Sequence, residues 1–200
     1  MFGGLNARTV VLSLLVAGLV TGGNLWLHRG DTPMGYTEYN KYGFSLCYPS
    51  NWYPYEGGFT DPGAGASDFQ GMFQAVLFTE EKVELMMVGW TTSAEVDEGA
   101  ASSVEGFIQS IGDTPNTTLT SMGPFKIVDK DGVEVTYVVF QAVQRGLPLT
   151  AVAGIMAQPW PSFRGYRVYV LSYAADSAST SEARAEERFM EFLDSFRSPA

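Results

Sequence analysis

The chain has 200 residues, 46% of them hydrophobic and 14% aromatic, and 22 acidic residues against 12 basic ones give it a net charge of −10. This is a folding composition rather than a disordered one, and its acidity excludes a phosphate backbone, so no nucleic-acid partner is expected. The single cysteine, Cys47, excludes an internal disulfide.

The first feature along the chain is Thr9 to Leu27, nineteen residues without a charge. As a helix they span roughly 28 Å, close to the ~30 Å hydrocarbon thickness of a bilayer. Arg8 precedes the run, Trp26 lies at its far end, and His28, Arg29 and Asp31 stop it. The expected organisation is a cytoplasmic stub (1–8), a transmembrane anchor or signal segment (9–27), a linker (28–35) and one domain (36–200). The domain is expected to face outside the cytoplasm (periplasmic, extracellular or lumenal), on a single-pass protein of the cell membrane. Cleavage at the small residues Thr21-Gly22-Gly23 is the competing reading. No cysteine lies near residue 20, so a lipoprotein signal is excluded. All 22 acidic residues, but only 10 of the Lys and Arg, lie beyond Gly30.

An aromatic-dense stretch from Tyr36 to Phe59 follows. Within it Phe44, Leu46 and Tyr48 alternate with Ser45 and Cys47, a period-two strand that Pro49 ends. Trp52 begins a further short extended piece, and the glycine-rich residues 57–71 read as a loop. Phe73–Phe78 and Val83–Trp90 read as a hairpin. From Glu95 to Ile111, Val96, Ala100, Val104, Phe107, Ile108 and Ile111 share one helical stripe, with Gly112 as its stop. Leu119–Val128 and Val133–Val143 are strands around Asp131-Gly132, a tight-turn pair. Leu149–Met156 and Arg167–Tyr173 are two more. A helix from about Ser181 to Phe196 closes the chain, with Ser179 and Glu182 as its capping box and Phe189, Phe192, Leu193 and Phe196 as its apolar stripe. Hairpins dominate and parallel crossovers are absent, which predicts an α+β fold: an antiparallel β-sheet flanked by helices, after one N-terminal transmembrane helix.

Two stretches carry a resemblance. Gly43-Phe44-Ser45-Leu46-Cys47-Tyr48-Pro49-Ser50-Asn51-Trp52 resembles the opening strand signature of PsbP-like domains, G-F-x-hydrophobic-x-Y-P-x-x-W. Tyr169 to Ala175, followed by an amphipathic helix ending at Ser195-Phe196, is similar to the way such domains finish. The resemblance spans about Tyr39 to Phe196. It implies a Mog1/PsbP-like α/β/α sandwich and an extracytoplasmic accessory role, as in photosystem II extrinsic proteins and bacterial envelope lipoproteins. It implies no shared catalytic set. The chain departs from the lipoprotein relatives in lacking the lipidated cysteine.

Chemistry is sparse. The only histidine is His28, so the domain beyond it has none for a nucleophile–histidine site or a zinc site of the usual ligand types. Cys47, inside a strand, reads as a packed thiol. Asp129, Asp131 and Glu134 are weak candidates for a calcium ion; their spacing is not that of an EF-hand, and they also read simply as a solvated hairpin tip. The candidate interaction patch is Tyr36, Tyr39, Tyr42, Tyr53, Tyr55 and Phe59, because tyrosine suits interfaces and loop-borne rings are hard to bury together. No cofactor and no catalytic residue is expected. The function expected is a membrane-tethered, non-catalytic binding or assembly module, with the membrane and a protein at its surface as partners. The alternatives are a carboxylate-based cell-surface hydrolase and a calcium-responsive domain.

Overall fold

Three dipeptides ending in glycine set the chain's turns. Tyr42-Gly43, Asp131-Gly132 and Arg145-Gly146 all have positive φ at both residues (54° and 75°, 54° and 81°, 51° and 82°). Positive φ at both central positions is the turn geometry that matches the twist of antiparallel strands. Each pair therefore closes a hairpin.

The computed structural model describes residues 34–57, 71–79, 82–93, 100–113, 115–160 and 165–198. The apolar run Thr9–Leu27, the glycine-rich segment 58–70 and Phe59 lie outside them. Among the described residues no helix is long and apolar enough to cross a membrane. The strands are β1 (Tyr36–Lys41), β2 (Phe44–Pro49), β3 (Tyr53–Gly57), β4 (Gly71–Phe78) and β5 (Val83–Ser93), followed by helix α1 (Ala100–Gly112). Then come β6 (Thr117–Met122), β7 (Lys126–Lys130), β8 (Val133–Gln144), β9 (Leu147–Trp160) and β10 (Gly165–Asp176), and helix α2 (Glu182–Ser195) closes the domain.

The large sheet has the order β3-β4-β5-β10-β9-β8-β6, with β7 also paired to β8; β1 and β2 form a separate two-stranded ribbon. Every pairing is antiparallel. Because side chains alternate, the sheet has two apolar faces. Val135, Val139, Val152, Met156, Leu171 and Phe73 point to one face, where α2 and the β1–β2 ribbon cover them. Val138, Phe140, Ala153, Ile155, Val170 and Met87 point to the other, under α1.

Helix α2 begins where Ser181, in extended conformation, accepts a hydrogen bond from the Arg184 N–H at 3.3 Å. It buries Ala185, Phe189, Phe192 and Leu193, each large side chain contributing roughly 1.5–3 kcal/mol. Gly154 makes room for it: a Cβ there would lie 2.8 Å from the tip of the Phe189 ring. Helix α1 faces the sheet with Val104, Phe107, Ile108 and Ile111.

The observed elements correct three expectations. The cap of α2 is Ser181, not Ser179; Ser179 instead donates its hydroxyl to the Asp176 carbonyl within the preceding turn. Leu119–Val128 is not one strand. It divides at Gly123-Pro124-Phe125 into β6 and β7, because Pro124 has no N–H for a ladder and the β6–β8 register already shifts between Leu119 and Ser121. Tyr36–Lys41 is a strand that the residue pattern did not mark. Residues 95–99, expected to open the first helix, lie outside the described residues.

Candidate functional site

The five described aromatic residues of the expected patch do not share one surface. Tyr39 enters the core and packs its ring against Phe73 with centroids 3.9 Å apart. Burial, with the Glu56 carboxylate as a lesser cause, pushes its phenol well above the ordinary range. Tyr36 is half-buried opposite Pro49. Tyr55 packs beside the α1-side core, across the sheet. Phe59 lies outside the described residues. Tyr42 and Tyr53 remain exposed, at 40% and 72%. Tyr42 sits at the β1–β2 tip, stacks on Trp90 at 5.1 Å and donates its hydroxyl to Glu56 at 3.1 Å. Lys41 holds the same carboxylate at 2.8 Å. The ribbon tip is thus tied to edge strand β3 through Glu56; Tyr53, two residues before Tyr55 on that strand, faces the α1 side with it.

Beneath that tip lies a group the residue pattern did not single out. Arg167, on β10, is 7% exposed and has no carboxylate partner among the described residues. Its guanidinium carbon lies 4.4 Å from the Trp160 ring centroid, 5.6 Å from Tyr169 and 5.7 Å from Trp90. Gly43 comes so close that a Cβ there would sit 2.6 Å from Trp160 and 3.0 Å from an Arg167 nitrogen. Only glycine meets both this approach and the positive φ. Among the described residues, Arg167 Nε and the Oε1 of its cross-strand neighbour Gln158 are buried without a hydrogen-bond partner.

A buried guanidinium is costly unless paired. Ring faces attract it by roughly 2 kcal/mol when desolvated, but they do not satisfy its five N–H donors. Desolvation accordingly lowers the Arg167 pKa. The arrangement is an aromatic-framed cation whose Nε has no acceptor among the described residues, suited to a carboxylate brought by another molecule. Its sequence signal was Arg167 in phase with Tyr169, Leu171 and Tyr173, a charge on the buried side of a strand.

The other candidates stand apart from this corner. Asp129 and Glu134 pair across β7–β8, and Asp129 accepts the Gly132 N–H at 3.1 Å, closing its own turn. Asp131 is exposed beside Lys130 at 2.9 Å, and Lys130 holds its carboxyl below the usual range. Among the described residues no three His, Cys, Asp or Glu side chains converge to hold a metal ion. Cys47 is half-buried, its backbone N–H bonded to Ser195 Oγ at 3.2 Å, and burial raises its thiol pKa.

On the opposite face, a cavity of about 290 Å³ opens between the last turn of α1 and strands β4, β5, β10, β9, β8 and β6. Val76, Leu85, Ile111, Phe140, Leu149 and Ala174 are among its walls, Arg145 lines it, and no Asp, Glu, His or Cys does among the described residues.

No family model matches the chain, and no curated protein matches it. Among solved structures, cyanobacterial PsbP (CyanoP) from Synechocystis sp. PCC 6803 superposes with a TM-score of 0.54 at 15% identity, over 88% of this chain and 100% of that one. The domain has a PsbP-like fold. LpqN of Mycobacterium tuberculosis, described as involved in cell envelope biogenesis, aligns with a TM-score of 0.49 at 13% identity, over 82% of this chain and 91% of that one. The opening signature of the PsbP-like domain, Gly43 to Trp52, builds the turn and strand of the ribbon that roofs Arg167. The closing Tyr169–Ala175 stretch continues the strand that carries it.

Proposed function

We propose that this PsbP-like domain is a non-catalytic binding module held by Thr9–Leu27 at the outer face of a membrane, and that it engages a protein partner through the corner formed by Tyr42, Trp90, Trp160 and Arg167. The observation that carries the reading is Arg167, a guanidinium that is 7% exposed, ringed by aromatics and without an acidic partner among the described residues. A partner carboxylate reaching it through the corner would complete its hydrogen bonds, while Tyr42 supplies rigid contact area. The tether is supported by the uncharged run of bilayer length. The accessory character is supported by the PsbP-like fold.

The test uses the full chain in its native membrane. A photo-crosslinking amino acid replaces Tyr42 in one set, and Ile127, exposed on the opposite edge strand, in another. A discrete heavier adduct is expected from the first set alone. Adding Arg167→Met should reduce that adduct about tenfold, the loss of one charge-assisted contact. Its melting temperature should hold or rise, because an unpaired buried charge is being replaced by a packed apolar chain. Equal adducts from Ile127, or an adduct indifferent to Arg167→Met, would sink the reading. Protease added outside the cell should remove the domain; protection from it would end the proposed orientation.

A further inference from the structure

The cavity on the α1 face is separate from that corner and has its own charge logic. Its volume of about 290 Å³ lies at the lower end of the range for small-molecule sites, roughly 300–1,000 Å³. At about 30 Å³ per methylene, close to the share of a water molecule in the liquid, it takes a hydrocarbon chain of about ten carbons. Branched aliphatic side chains, Phe140 and small alanines make the walls, and Phe78, 72% exposed, stands at its border.

One end of the lining is polar. Gln144 donates its side-chain N–H to Thr117 Oγ1 at 3.4 Å, and Arg145 adjoins them. The Arg145 backbone is held by its positive φ and by its N–H donated to the Asn116 carbonyl at 2.7 Å. The stem of the guanidinium therefore leaves the turn from a set position. Arg145 makes no ion pair among the described residues. In a chain of net charge −10, a cation beside an apolar hollow that no carboxylate lines among the described residues selects by charge as well as by shape.

We propose that this cavity binds an anionic amphiphile, a single hydrocarbon chain of about ten carbons ending in a carboxylate, with the chain between α1 and the sheet and the headgroup on Arg145. The chain recovers the hydrophobic contact that the open walls lack, and the guanidinium offers a planar pair of donors to the carboxylate. The site does not use Arg167 or the ribbon, so its occupancy stands or falls independently of the protein-binding corner.

The experiment takes the full chain in zwitterionic phosphatidylcholine nanodiscs, with ¹³C-labelled methyls on Ala, Ile and Leu, and titrates in decanoate, butyrate or decyltrimethylammonium. Decanoate should move the Ile111, Ala142, Leu147 and Leu149 methyls saturably and leave Leu46, Ala185 and Leu193, on the other face, in place. Decyltrimethylammonium should bind about tenfold more weakly, and butyrate should not saturate. Arg145→Gln, a substitution at an exposed turn, should erase the preference for the anion. Ala174→Phe should block the chain, while the crosslink from Tyr42 persists. The proposal is overturned if anion and cation saturate alike, if butyrate matches decanoate, or if the shifts spread over both faces. It is equally overturned if those methyls respond only to protein concentration, which would make a second copy the occupant.

Discussion

The two faces of the sheet are covered differently. On one, α2 and the β1–β2 ribbon lie side by side, and the interior between them and the sheet is aromatic: Phe44, Phe73, Phe189, Phe192 and Phe196 with Tyr39, Tyr48, Tyr137, Tyr169 and Tyr173. On the other, α1 alone covers a surface of Val, Ile, Met and Ala, and beyond its last turn the cavity remains. Rings fill volume with few side chains and bring hydroxyls that need partners. Small aliphatic side chains leave a hollow where cover runs out. Hence one face concentrates unpartnered polar atoms around Arg167, and the other concentrates apolar space.

The largest expected effect tests that asymmetry directly. Phe189→Ala should lower the unfolding free energy by about 3–5 kcal/mol, since the ring is fully buried between Gly154 and Tyr137. Ile111→Ala, at the cavity wall, should cost about 2 kcal/mol, the low end for such truncations, because its side chain already borders empty space. Urea unfolding of both variants checks the pair; equal losses would show the two faces to be packed alike. Next comes Ser181→Ala, which removes the α2 cap and should cost about 1 kcal/mol on the aromatic face alone. Hydrogen exchange should then rise in the first turn of α2 and stay unchanged in α1.

The subtlest difference appears only in alkali. The buried tyrosines with raised pKa values, Tyr39, Tyr48, Tyr137, Tyr169 and Tyr173, all lie on the aromatic face. Burial, aided by Glu186, pushes Tyr137 up to about 12. An unfolded phenol titrates near 10. Between those values the unfolded chain releases protons that the folded face retains, so stability is complete below pH ~10 and falls as pH rises toward the folded pKa. Urea midpoints should hold to pH 9.5 and decline above it, and Tyr137→Phe should flatten part of the decline. A profile level to pH 11.5 would contradict the assignment.

Much of this architecture was readable residue by residue. Phe44-Ser45-Leu46-Cys47-Tyr48 alternates, and its strand buries Phe44, Leu46 and Tyr48 as the period requires. Phe189, Phe192 and Leu193 recur at helical spacing and line the buried side of α2. Asp131-Gly132 turns because its chemistry is local. These features depend on neighbours a few positions away, and short-range sterics and periodicity determine them.

What depended on distant residues was decided only in three dimensions. Tyr39 became core and Tyr42 surface, although both are tyrosines of one hairpin, because Phe73 and Trp90 of the large sheet meet them differently. Ser181 rather than Ser179 capped α2 once Asp176 had engaged Ser179 in a turn. The ring of aromatics around Arg167 joins β5, β9 and β10, and the cavity joins α1 to six strands. The sequence by itself determined a sheet with two apolar faces and the elements that border it. The tertiary structure decided how completely each face is covered, because cover is a matter of volume and not of pattern.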